Sequence, residues 1–138
     1  MKYMIMLYAS QRHYDLMAGR VTDRTIWEQE DVAAMHEFMG SWNQELVESG
    51  EFVDAQGLAA PVHTRRIELR SGTPVVTDGP YAETQEVLAG YWIVECASFD
   101  RATEIAGRLA ECPAPEQVTA NAYADIRPIM ESAAEISY

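Results

Sequence analysis

Residues 77–91 read TDGPYAETQEVLAGY. The Asp-Gly-Pro in this segment constrains the chain more than any other feature. Gly79 can take a positive φ, and Pro80 fixes its own φ at about −65°. The three residues therefore read as a turn, through which neither a helix nor a central strand can run. Directly after it come Tyr81, Glu83 and Glu86, a phenol and two carboxylates. Leu88 to Cys96 then reads as a strand. A loop that only joins two strands has no need of so much titratable chemistry.

The length of 138 residues fits one domain, 1–138, with room for a buried core. The chain carries 10 basic and 22 acidic residues, a net charge of −12, and its basic residues cluster no further than Arg65-Arg66. Phosphate backbones and anionic membrane surfaces are bound through Lys and Arg, so direct nucleic-acid or membrane-surface binding is disfavoured. No apolar run approaches the roughly 20 residues of a membrane span. The N-terminal apolar run reads as a strand and not as a secretory leader. Cys96 and Cys112 have no metal or redox spacing, and read as reduced thiols of a cytoplasmic protein.

Tyr3 to Tyr8 is a continuous apolar run with β-formers, which predicts a central strand. Gln11 to Arg20 reads as polar and irregular. From Thr22 to Ser49 the pattern is helical. Val32, Met35, Met39, Trp42 and Leu46 recur at spacings of three and four with Phe38 alongside, and Gly50 stands where a helix-ending glycine is expected. Phe52 to Ala55 is a short strand and Gln56 to His63 a loop. Arg65 to Arg70 alternates, turns at Ser71–Pro74 and pairs back through Val75 to Thr77 as a hairpin. Asp100 to Glu111 predicts a helix with Ala102, Ile105, Ala106 and Leu109 inside and Ser98 or Asp100 as N-cap. Tyr123 to Met130 is the last strand, and Pro128 makes it an edge or ends it. This order is β-α-β-β-α-β with a hairpin added in the middle, a ferredoxin-like α+β arrangement.

The segment after the turn closely resembles the DGPF signature of the YCII-related proteins, usually written DGPFAETKE. Tyr81 stands where Phe is usual and Gln85 where Lys is usual. Lys2 to Ser10 (KYMIMLYAS), Glu45 to Leu58 (ELVESGEFVDAQGL) and Ala124 to Glu131 (ADIRPIME) resemble further parts of that family. The resemblance implies the same ferredoxin-like fold and a homodimer of the dimeric α+β barrel type. It also suggests a regulatory link, because relatives occur beside sigma factors of the extracytoplasmic-function type. The enzyme-like branch carries a His on the first helix and an Asp near the end of the second, proposed as an acid/base pair. Counting back from Gly50 puts the His position near Met39, and the Asp position falls at Cys112. The pair is not carried over.

Asp78 reads either as an acid/base carboxylate or as a cap of its own turn, and Tyr81 either as a proton-transfer group or as packing. Glu83 and Glu86 either face a pocket or are solvated. His36, on the flank of the helical stripe, either points into a cleft or to water. These five are the candidate catalytic residues; Asp78, Tyr81, Glu83 and Glu86 are expected to border a cleft between the sheet and the first helix, with Arg127 and His36 near it. Arg127, sharing a strand face with Asp125, Tyr123 and Ile129, is a candidate for substrate binding, with Tyr8 and Tyr91. His13, His36 and His63 form no ligand pattern, so no metal and no cofactor is expected. Two functions compete: a metal-independent enzyme using acid/base groups on an unknown small molecule, and a ligand-binding or accessory protein without catalysis.

Overall fold

The computed structural model describes residues 1–19, 27–79, 81–115, 122–132 and 134. Its element order is β1 (Lys2–Ala9), α1 (Gln11–Met17), α2 (Gln29–Ser49), β2 (Phe52–Gly57), β3 (Arg65–Arg70), β4 (Thr73–Asp78), β5 (Val87–Glu95), α3 (Phe99–Gly107) and β6 (Ala124–Pro128). Two 3₁₀ turns, Pro61–His63 and Arg108–Glu111, complete it. Four strands form an antiparallel sheet in the order β2-β5-β1-β6, and β3 and β4 form a separate hairpin. The order and directions are compatible with a ferredoxin-like split βαβ arrangement.

The core lies between one face of the sheet and helices α2 and α3. Tyr3 and Ile5 of β1, Val94 of β5, Trp42 and Leu46 of α2, and Ala102, Ile105 and Ala106 of α3 are buried together. Trp42 meets Trp92 edge-on at 4.8 Å, and the Trp92 indole N–H donates to Asn43 Oδ1 at 2.7 Å. Alternate residues of a strand face opposite sides. Met4 and Met6, which pair with Ile93 and Tyr91, therefore belong to the face away from these helices.

Three expectations are corrected. Gln11–Met17 is a helix and not irregular chain: Ser10 Oγ accepts from the His13 backbone N–H at 3.2 Å and starts it. Helix α2 starts at Gln29, where the Asp31 carboxylate accepts from the Glu28 N–H at 2.9 Å, and residues 22–26 of the expected helix lie outside the described residues. The expected helix 100–111 begins at Phe99 under a Ser98 cap and tightens into the 3₁₀ turn after Gly107. Pro128 is the last residue of β6, an edge strand, and Gly50 caps α2.

Two irregularities shape the end of the sheet that carries the site. Leu7 pairs with Gly90 but Tyr8 pairs with Leu88, so Ala89 is an extra residue in β5. Beside it Gly90 lies close against β2, and a Cβ there would sit 3.0 Å from the Gln56 carbonyl oxygen, so a larger residue would press the two strands apart. The Tyr14 hydroxyl of α1 donates to the Leu58 carbonyl at 2.8 Å and fixes α1 beside this end of the sheet.

Candidate functional site

A cavity of about 410 Å³ opens between the end of the sheet, α2 and the turn after α3. Its apolar wall includes Leu7, Met35, Met39, Leu109 and Ala124. Its polar and aromatic groups are Tyr8, His13, Trp27, Glu86, Cys112 and Tyr123. The volume lies within the usual range for small-molecule sites, about 300–1,000 Å³.

Several of these groups contact one another in pairs. Tyr8 and Tyr123 stack with ring centroids 5.5 Å apart and planes at 22°. The Tyr123 hydroxyl donates to Glu86 Oε2 at 2.9 Å, and that carboxylate raises the phenol's pKa. Tyr8 is raised too, by desolvation first and then by the neighbouring Asp125. His13 makes an edge contact with Trp27, ring centroids 6.1 Å apart. Desolvation holds the His13 imidazole below the ordinary histidine range, while Glu86 pulls it the other way. Trp27 is 6% exposed, and its buried indole N–H has no hydrogen-bond partner among the described residues. The Cys112 thiol is pushed up by burial.

The structure separates the candidate residues. Glu86 and Tyr8 line the cavity. Asp78 ends β4, where its Oδ1 accepts from Arg65 Nε at 3.0 Å across the hairpin, and both side chains are about 70% exposed (70% and 71%). Gly79 has φ 56°, as a turn glycine does, and Pro80 lies outside the described residues. Tyr81 lies under the Arg66 guanidinium, 4.9 Å from the ring centroid. Glu83 is exposed, and its backbone carbonyl accepts from the Arg12 N–H at 3.0 Å. His36 is exposed on α2, one residue from the cavity-lining Met35. Arg127 pairs with Met4 and Tyr91 with Met6, on the face away from the core.

Sequence reasoning passed over His13, Trp27 and Tyr123 as site residues. The one available signal was Ser10, three residues before His13, the spacing of a side chain capping a helix start. Met39 and Cys112, the positions that the resemblance pairs as His and Asp, both line this cavity. Among the described residues no group of three or more His, Cys, Asp and Glu is arranged to hold a metal ion. No helix among them is long and apolar enough to cross a membrane. Cys96 and Cys112 are both free.

The antiparallel sheet backed by two helices, with a cavity at its end, defines an α+β class of small-molecule-sized sites. Within that class, the model of the YCII-related domain matches residues 1–132, and the chain belongs to that family. A protein of Rhizobium meliloti (strain 1021), described as uncharacterized, is 29% identical over 84 residues, which is 61% of this chain and 68% of the relative.

Proposed function

We propose that the protein is a small-molecule enzyme that works by side-chain acid/base groups in the cavity beside the Asp-Gly-Pro loop. The observation that carries the reading is the meeting of Glu86, from that loop, with Tyr123 and His13 on the wall of one largely apolar cavity. A neutral imidazole is a base near neutral pH, and a phenol hydrogen-bonded to a carboxylate is a proton donor and acceptor. Of the loop's other groups, Asp78 and Tyr81 are held by arginines of the hairpin, so Glu86 takes the acid/base role.

Ligand binding without turnover is the second reading, with an accessory role in a sigma-factor system. Met39 and Cys112 favour it, because they put a thioether and a raised thiol where the enzyme-like branch has its His and Asp. Under either reading the protein is a homodimer of the dimeric α+β barrel type. The half-buried Met4, Tyr91 and Ile93 on the sheet face away from α2 and α3 support self-association.

Protein purified from its own host is the direct test. Its small-molecule extract, analysed by mass spectrometry, is compared with that of Met39→Trp, whose indole fills the cavity. We expect a species held by the wild type and lost from the variant. Identical extracts would remove the cavity as a ligand site. Glu86→Gln separates the two readings: under the enzyme reading it retains the species chemically unconverted, and under the binding reading its extract matches the wild type.

A further inference from the structure

We propose that the cavity takes an uncharged, mostly apolar molecule that presents one hydrogen-bond acceptor, a ketone or aldehyde oxygen being the simplest, and that Trp27 supplies the donor. The inference rests on the cavity being a ligand site and goes further by naming the ligand's chemical class.

Charge is the first constraint. The described residues that line the cavity include no Lys and no Arg, and their one carboxylate is Glu86. The chain as a whole carries −12. An anionic ligand would leave water, meet no cation among the described lining residues and face a carboxylate, and at Tyr8 the pull of Arg127 is outweighed by Asp125. Among the described lining residues a cationic ligand has only the Glu86 carboxylate, which is exposed and already accepts from Tyr123. An exposed, hydrogen-bonded carboxylate adds little to the binding of a cation.

Hydrogen-bonding capacity is the second. The Tyr123 hydroxyl is committed to Glu86. The Trp27 indole N–H has no partner among the described residues, although it is buried. Indole is a donor only, so what it lacks is an acceptor. A buried donor left unpaired costs free energy that an arriving acceptor returns. The imidazole of His13 lies edge-on to the same indole and lines the same cavity, so a polar atom reaching Trp27 arrives beside a proton acceptor. Everything else the ligand meets includes Leu7, Met35, Met39 and Leu109, which asks for an apolar body.

The test is a matched series on the full chain by isothermal titration: acetophenone, ethylbenzene and benzoate. They share a ring and differ in acceptor and charge. Acetophenone should bind about tenfold more tightly than ethylbenzene, the worth of one well-made hydrogen bond, and benzoate more weakly than either. Met39→Trp should abolish binding of both neutral probes, which locates them in the cavity. Trp27→Phe keeps the ring and removes the N–H. It should equalise acetophenone and ethylbenzene while leaving ethylbenzene unchanged, which a merely structural tryptophan would not do. Benzoate binding as tightly as acetophenone would overturn the ligand class and leave the cavity as a ligand site. Equal binding of acetophenone and ethylbenzene by the wild type would overturn the donor role. No binding of any probe, with identical host extracts from wild type and Met39→Trp, would overturn both levels. Should Trp27→Phe fail to fold, the wild-type ranking of the three probes decides alone.

Discussion

His13 enters the folded protein as a neutral ring, because desolvation outweighs the pull of Glu86. The sign of its effect on stability follows. The unfolded chain takes up a proton on this ring near its ordinary pKa of 6.5, whereas the folded chain resists it. Stability should therefore fall as pH drops through 6.5 towards the lowered folded value, with no contribution above that window. His13→Gln removes the group, so urea midpoints between about pH 7.5 and pH 5 should decline less steeply than in the wild type. Parallel declines would mean that the ring is not desolvated as described. Trp27 and Tyr123 act at the same scale, one through an N–H and the other through a hydroxyl. No neighbouring residues in sequence announce either role, because their partners lie on other elements.

At the scale of elements, an ion pair joins the short junction between α2 and β2 to α3. Arg101 Nε and Nη2 donate to Glu51 Oε2 and Oε1 at 2.9 and 2.8 Å, and Ser49 Oγ donates to the same carboxylate at 2.8 Å. Arg101 first, and Ser49 with it, holds the Glu51 carboxyl below its usual range although burial opposes them. The Arg101 side chain is 43% exposed, so the fork is partly screened, and Glu51→Gln should cost about 1 kcal/mol by urea unfolding at neutral pH. This contribution is present above the ordinary glutamate value and lost as pH falls through the lowered one, so wild type and variant should converge in acid. Elements with a long or clear period were legible in the sequence: β1, α2, the hairpin, β5 and the inner face of α3. Helix α1 was not, because its seven residues make barely two turns and bury none of their side chains fully. A segment that short leaves no periodic stripe, and its helix is fixed by a cap and by Tyr14 reaching Leu58.

At the scale of the molecule, the sheet has one face under α2 and α3, while Met4, Tyr91 and Ile93 lie on the other. Static light scattering at micromolar concentration should give the mass of two 15.5 kDa chains, and the mass of one chain would contradict the homodimer reading. The hairpin exposes Ile67 at 66%, Leu69 at 75% and Val76 at 56%, so apolar surface is not confined to the sheet. The cavity was the least legible part of the site, because it gathers residues as far apart as Leu7, Met39, Cys112 and Tyr123. The loop chemistry was legible, since Asp-Gly-Pro marks a turn in any context. Which of its side chains reaches the cavity is decided by the end of β5 and not by the loop's own composition.

That end of β5 holds Ala89, which has no register partner on β1. Cross-strand partners share a face, so Ala89 puts Leu88 with Tyr8 and moves the following positions, back towards Glu86, out of step with the rest of β5. The in–out alternation of the strand is thereby reset by a residue that has no functional group. The identity of the carboxylate at the cavity is written in a count of residues as well as in their types. A relative with the same loop but one residue fewer at this point would present its carboxylates in the opposite phase.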